Sequence, residues 1–213
     1  MKKILLLVLA ATALPSYAEA GVVNYSKPYL KGGIGYAQQH YIVEGNTSTK
    51  FKGKGIAGLV SIGYSWQNNL RGELEFYMDN GIPGSGYVNQ TKYKSEIKTY
   101  AGLVNFAYDF NNSSQITPFL MVGIGYGKNR FEVHGNNSNR LHSAKNNKMA
   151  FMYQLGAGVD LKLDKKASLE ISYRALNKGT KSLTLTSNNG QRLTGKRQGD
   201  FQHMVLASVK FNF

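Results

Sequence analysis

The feature that most constrains this chain is an alternation of apolar residues with small or polar ones, which recurs in eight segments. A period of two is that of a β-strand whose two faces meet different surroundings. In one segment Leu169, Ile171 and Tyr173 alternate with Ser168, Glu170, Ser172 and Arg174. The alternation predicts eight strands, near 29–37, 56–65, 70–78, 100–110, 118–127, 151–161, 168–174 and 201–213.

The connections between these strands alternate strictly in length. The long ones are 38–55, 79–98, 128–149 and 176–200, and the short ones are 66–69, 111–117 and 164–166. A water-soluble sandwich has no reason for such an alternation, whereas outer-membrane barrels have long outer loops and short periplasmic turns. We therefore predict an all-β fold, an eight-stranded antiparallel up-and-down transmembrane β-barrel with four long outer loops and three short periplasmic turns.

The composition of the two strand faces indicates which face meets lipid. Glycine and alanine crowd the less apolar face, as a narrow lumen requires, and tyrosine and phenylalanine lie towards the strand ends of the apolar face. Aromatic residues at these positions are typical of the girdles at a bilayer interface. The apolar face is therefore expected to meet lipid and the polar face to line the lumen.

The N-terminal segment has the composition of an export signal. Lys2 and Lys3 precede an apolar run from 4 to 14, and the small residues Ser16 and Ala18 suit a cleavage site after Ala18. This pattern predicts a signal peptide at 1–18, with cleavage after residue 20 as an alternative, followed by one outer-membrane β-barrel domain at 19–213. A short buried helix is the other interpretation. No later apolar run reaches the ~18 residues that a membrane helix needs.

Several classes of chemistry find no support in the sequence. There is no cysteine, which excludes disulfides and thiolate metal sites. The neighbours His142 and Ser143 would point to opposite faces of a strand and so cannot form a catalytic dyad there. No phosphate-binding loop, metal-ligand spacing or nucleic-acid motif is present. The expectation is a protein that is not an enzyme, has no cofactor or metal, and binds no nucleic acid.

Three strand segments carry a resemblance to a known family. They are 117–126 (TPFLMVGIGY), 153–160 (YQLGAGVD) and 169–174 (LEISYR). They resemble the fifth, sixth and seventh strands of opacity-type barrels, which are related to the outer membrane protein A transmembrane domain. The lysine and asparagine content and the style of the loops look similar to small rickettsial surface adhesins. The final Phe213, with Phe211 before it, looks like the signal that the outer-membrane assembly machinery reads.

Positive charge is concentrated in the four long connections. They hold sixteen Lys and Arg and five Asp and Glu, which is +11 of the +12 that remains after cleavage at Ala18. The candidate ligand-binding residues are Lys50, Lys52, Lys54, Lys92, Lys94, Arg130, Arg140, Lys178, Lys181, Lys196 and Arg197. They could contact the phosphates of lipopolysaccharide in the outer leaflet, or bind an acidic host or serum protein or another polyanion.

A second charged set falls on the lumen face of the predicted strands. It comprises Arg71, Glu73, Glu75, Asp160, Glu170 and Arg174, with Gln154 and Lys162. Since an unpaired buried charge costs several kcal/mol, these groups are expected to pair. An eight-stranded barrel has room inside only for side chains. We interpret the set as a plug that joins strands three, six and seven, with a narrow ion pore as the alternative.

The resemblance implies an outer-membrane surface protein whose basic extracellular loops mediate adhesion to host or serum ligands, and the charge of the loops makes such binding physically reasonable. A structural barrel that supports envelope integrity and a small porin are the alternatives. The expected partners are outer-membrane lipid, lipopolysaccharide and the assembly machinery. The protein is expected to be a monomer.

Overall fold

The structure is a computed structural model that describes residues 27–44, 49–88, 91–110, 112–135, 149–179, 181–186 and 192–213. Side chains are described over 27–39, 53–80, 98–110, 112–130, 149–179 and 201–213. The predicted signal peptide, 1–18, lies outside these ranges. Within them, no helix is long and apolar enough to cross a membrane.

The described residues form nine strands of a single antiparallel sheet. The strands are β1 Lys27–Glu44, β2 Thr49–Ser65, β3 Leu70–Val88, β4 Thr91–Asp109, β5 Ile116–Gly135, β6 Met149–Lys162, β7 Ala167–Asn177, β8 Lys181–Thr186 and β9 Arg192–Asn212.

Eight of the nine strands close into a barrel. Consecutive strands pair from β1 to β7, and β9 then pairs with both β7 and β1. The closing contact runs from Tyr29, opposite Asn212, to Glu44, opposite Lys196. Strand β8 pairs only with β9 among the described strands and lies outside this circle. The predicted eight-stranded antiparallel barrel is thus confirmed, because every pairing between neighbours is antiparallel.

The outer parts of the strands extend much further than the alternation predicted. Strands β3 and β4 pair as far as Val88, opposite Thr91, and β1 and β2 pair as far as Val43, opposite Thr49. Most of the predicted loops 38–55 and 79–98 are therefore paired strand. The apolar signal ends where lipid ends, but backbone hydrogen bonding between two strands continues into water without it. Within the predicted loop 176–200, β8 and β9 form an antiparallel pair, with Thr186 opposite Arg192.

The two faces of the wall are inverted relative to a soluble protein. Ile34 on the outside is 63% exposed, whereas Arg174 on the inside is 0% exposed. Many other outward apolar side chains of the strands, such as Leu74 and Ile124, are also exposed. Because lipid solvates this outer surface, the fold concentrates its polar and charged groups in the lumen.

Candidate functional site

The periplasmic half of the lumen contains a cluster of ion pairs centred on Lys31. The ammonium group of Lys31, on β1, donates to both carboxylate oxygens of Glu73 on β3, at 2.6 and 2.8 Å. It also lies 3.2 Å from Glu170 Oε1 on β7. Tyr29 adds a hydroxyl that donates to Glu73 at 2.7 Å. One lysine therefore links three strands that are not neighbours in the barrel.

Two arginines extend this cluster across the barrel. Arg174 on β7 donates to Glu75 at 2.7 Å and lies 3.4 Å from Glu170. Arg71 on β3 donates to Glu170 at 3.2 Å and to Asp109 at 2.9 Å, and its guanidinium packs 4.7 Å from the centre of the Phe119 ring. The planar guanidinium has enough donors to serve several carboxylates at once.

Neutral amides complete the hydrogen bonding of the Glu75 carboxylate. Asn105 donates to one oxygen at 3.0 Å, and Gln154 donates to the other at 3.2 Å and to Asn105 at 2.8 Å. On the periplasmic side Lys210 of β9 pairs with Asp160 of β6. The network therefore involves β1, β3, β4, β6, β7 and β9.

The structure buries all six predicted lumen residues and brings them into this one network. The expectation that the network joins only strands three, six and seven was too narrow, because Lys31, Asp109 and Lys210 belong to it as well. The sequence interpretation did not include Lys31 or Lys210 in this set, although both share the inward parity of their strands, as their burial shows. The prediction that Lys162 lines the lumen is wrong, because this residue is exposed at the end of β6.

An apolar layer lies above this cluster, towards the outer end of the strands. It is formed by buried side chains from seven barrel strands: Ala37, Ala57, Leu59, Tyr77, Ala101, Leu103, Met152, Leu176, Met204 and Leu206. Side chains of up to 2% exposure fill the lumen at this level. The layer separates the lower charges from a second, smaller polar group.

That second group is built around Lys178 at the outer end of the lumen. Its ammonium donates to Asp79 at 2.6 Å and to Thr99 at 2.7 Å, and Gln39 Oε1 lies at 3.4 Å. Both Lys178 and Asp79 are buried. The prediction of Lys178 as an outer-loop ligand-binding residue is therefore wrong. The sequence interpretation ended the strand at Arg174, although the inward alternation continues through Leu176 to Lys178.

The remaining basic candidates are placed on the outer parts of the strands. Lys54 on β2 and Arg130 on β5 are exposed. For a second group the structure describes the backbone alone: Lys50, Lys52, Lys92, Lys94, Lys181, Lys196 and Arg197. Arg140 lies outside the described residues. Since Lys178 and Asp79 have opposite charges, their removal from the outer set leaves its excess of +11 unchanged.

Aromatic side chains mark the two edges of the lipid-facing band. Towards the outer end, Tyr126 contacts Phe151 with ring centres 5.6 Å apart, and the Tyr173 hydroxyl lies 2.6 Å from His203 Nδ1. At the other end Phe211 and Phe213 are exposed on the outside of the barrel. The role of these two phenylalanines as an assembly signal stays a prediction.

Comparison with known proteins gives the family. Residues 4–213 match the family described as the outer membrane protein beta-barrel domain. The outer membrane protein PagN of Salmonella typhimurium is 26% identical over 164 residues, which cover 68% of this chain and 67% of PagN.

Two solved structures share the fold. One is Neisserial surface protein A, with a TM-score of 0.53, 17% identity, and coverage of 87% of this chain and 97% of that one. The other is OprG from Pseudomonas aeruginosa, with a TM-score of 0.61, 11% identity, and coverage of 88% and 96%. None of these relatives is rickettsial, so that narrower likeness stays a prediction. With its closed barrel, its exposed apolar wall and this match over nearly its full length, the chain is a bacterial outer-membrane protein that belongs to the outer membrane protein β-barrel domain family.

Proposed function

We propose that this protein is a surface-exposed binding protein, rather than an enzyme or a porin, whose basic outer end attracts acidic host or serum proteins or other polyanions. The observation that carries the proposal is the separation of charge along the barrel. Inside, the five cations and six anions of the lumen lie close to balance. The four long connections, which alternate with the short turns, hold an excess of +11.

The position of this charge suits long-range attraction. Charges in water act over about 8 Å at physiological salt, so a cluster on one end of the barrel steers polyanions towards that end. The exposed Lys54, Lys128 and Arg130 lie beyond the apolar part of the wall, where they can also contact phosphates of the outer leaflet. Lipid contact low on the wall and ligand contact at the tips are compatible.

The packing of the lumen supports a binding role over conduction. Ion pairs join β1, β3 and β7 across the barrel, and an apolar layer lies above them. An ion that passed through would have to displace buried pairs, each of which costs several kcal/mol to break. This arrangement favours a closed barrel.

The test uses protein refolded in detergent, with the shift in gel migration on boiling as the check of folding. Binding of fluorescent polyglutamate is measured for wild type and for the triple variant Lys181→Glu, Lys196→Glu and Arg197→Glu. We expect the affinity to fall at least about tenfold, since charge reversal at an interface replaces attraction by repulsion.

The control carries the same change in charge at the other end of the barrel. Lys162, Lys165 and Lys166 are exposed at or next to the β6–β7 turn, and their replacement by Glu is expected to leave binding within about twofold of wild type. Equal binding by wild type and the outer variant, or equal losses in the outer and periplasmic variants, would overturn the proposal.

A further inference from the structure

One strand of the sheet has an edge that the barrel does not use. Strand β8 pairs with β9 from Lys181, opposite Arg197, to Thr186, opposite Arg192. The sheet order ends at β8, and among the described strands none lies on its other side. The pairing of β7 with β9 ends at Leu176, opposite Gln202, and β8 takes the place of β7 beside β9 further towards the outer end. At the base of the β8–β9 hairpin, Lys196 of β9 also lies opposite Glu44 of β1.

A strand with one free edge presents unpaired backbone N–H and C=O groups at every second residue. Such an edge is a template for strand addition by another chain. Proteins usually protect exposed edges with proline, bulges or several charges. β8 has the sequence Lys-Ser-Leu-Thr-Leu-Thr, with neither proline nor glycine, one charge at its first residue, and an unbroken register with β9.

The charges of the hairpin select the kind of chain that could add to it. The paired segments 181–186 and 192–197 contain four basic residues, Lys181, Arg192, Lys196 and Arg197, and no acidic one. A second copy of β8 would bring two such hairpins together and be repelled, whereas an acidic chain would be attracted.

A second strand edge at the outer end lacks this selectivity. Beyond Lys128, β5 pairs only with β4 among the described strands. There Lys98 is opposite Arg130 and Glu96 is opposite Glu132, and with Lys94 the paired segments 93–99 and 129–135 hold three basic and two acidic residues, a net charge of +1 against +4 for the β8–β9 pair. Charge complementarity therefore favours β8 over β5.

We propose that the edge of β8 that no described strand pairs with binds an extended acidic peptide segment of a partner protein by β-strand addition. The inference rests on the proposed function for the acidic nature of the partner, and it adds the site and the mode of binding. Backbone hydrogen bonds to β8 supply affinity for an extended chain, and the four basic residues of the hairpin select carboxylate side chains.

The test compares two capped synthetic peptides with the same sequence of four Val–Glu repeats. The second peptide carries N-methyl groups on the backbone nitrogens of two adjacent central residues. This removes one backbone N–H donor from each edge of the peptide strand. We expect the unmodified peptide to bind the refolded protein and the methylated one to bind at least about tenfold more weakly. Hydrogen exchange should show new protection at every second amide of β8, because the others already bond to β9.

Two adjacent prolines locate the edge on the protein. In a strand, the N–H groups of neighbouring residues point to opposite sides, so one of Leu183→Pro and Thr184→Pro blocks the free edge and the other breaks the contact with β9. The variant that keeps the exchange protection of β9 is the edge variant. The edge variant should no longer bind the Val–Glu peptide. It should still bind polyglutamate, because that binding requires only the positive charge of the outer end.

Several results would overturn the inference. Equal binding of the two peptides, or protection that appears outside β8, would exclude strand addition while leaving the proposed function intact. If the wild-type protein binds neither the unmodified peptide nor polyglutamate, both proposals are overturned. A dimer in solution that the edge proline abolishes and the peptide cannot dissociate would show that a second copy occupies the edge instead.

Discussion

Arg174 and Glu75 form a 2.7 Å ion pair that spans the lumen from β7 to β3. These strands are four apart in a closed barrel of eight, so the two residues come from opposite walls. Each side chain is fully buried. Their contact acts as a crossbar that holds the barrel cross-section, and it occupies the space that a conducting pore would need.

Removal of one end of this crossbar is expected to be costly. Arg174→Met leaves the Glu75 carboxylate buried without its cation, and the free energy of unfolding should fall by about 3–5 kcal/mol. The second substitution, Glu75→Gln, removes the uncompensated buried charge. Its amide keeps polar groups that can hydrogen-bond Asn105 and Gln154, so the free energy of unfolding should largely recover. Urea unfolding followed by the fluorescence of the single tryptophan, Trp66, measures both. Additive losses in the double variant would contradict a direct pair.

The buried position of Lys178 gives a second prediction, with Lys181 as its matched control. Lys178→Met leaves Asp79 uncompensated and should lower the free energy of unfolding by about 3–5 kcal/mol. Lys181→Met, in the hairpin outside the barrel, should change it by no more than about 0.5 kcal/mol. Similar unfolding curves for the two variants would contradict the buried ion pair between Lys178 and Asp79 and would favour a loop position for Lys178.

A charged substitution at an exposed position of the apolar band tests whether the outer wall meets lipid. At an exposed position of a soluble protein the same charge would be tolerated. Ile34 is 63% exposed and lies in the middle of the apolar band. In lipid bilayers Ile34→Arg should cost about 2–4 kcal/mol, since an arginine at the bilayer midplane loses its hydration. Ser113→Arg, in the exposed β4–β5 turn, should be close to neutral. A neutral Ile34→Arg would mean that this face meets water.

The turn between β6 and β7 carries a pH-dependent contact. The backbone N–H groups of Lys166 and Ala167 donate to Asp164 Oδ1 at 2.6 and 2.7 Å, and these bonds hold the pKa of the carboxyl group below its ordinary value. Because folding lowers this pKa, the stabilisation is complete above the unfolded value of about 4 and is lost as the pH falls through the folded value.

Asp164→Ala should therefore lower the unfolding midpoint at pH 7, and its difference from wild type should shrink below pH ~4. Asp164→Asn keeps a neutral acceptor and should show a smaller loss at pH 7, which should also shrink below pH ~4 as the wild-type carboxylate loses its charge. Thermal unfolding between pH 3 and 7, followed by gel migration, measures all three proteins. A constant difference between Asp164→Ala and wild type would exclude a role of the carboxylate charge.

The parts of the fold that follow from local alternation were predictable. The period of two assigned Ile34 to lipid and Glu73, Glu170 and Arg174 to the lumen, and the alternating lengths of the connections set the number of barrel strands. Alternation carries this information because each face of a barrel strand meets one solvent, lipid or lumen, over its whole membrane-spanning length.

The ends of the strands were less predictable, for a reason visible at Lys178 and Asp79. Both continue the inward alternation of their strands, but the apolar outward residues that make a strand recognisable stop before them. Outside the lipid, both faces of a paired strand can be polar, so a hairpin in water and a loop look alike in the sequence. Both residues were consequently assigned to loops, and Lys178 was assigned to ligand binding.

The sequence by itself determined that this chain is an outer-membrane barrel, which face of each strand is lipid-exposed, and that positive charge gathers at one end. Only the tertiary structure decided which charges meet. Lys31 reaches Glu73 and Glu170, and Arg174 reaches Glu75, because closure of the sheet brings strands distant in sequence to opposite walls of one narrow lumen. The physical reason is that alternation reports the medium on each side of a strand, whereas a partner across the lumen depends on strand register and barrel closure.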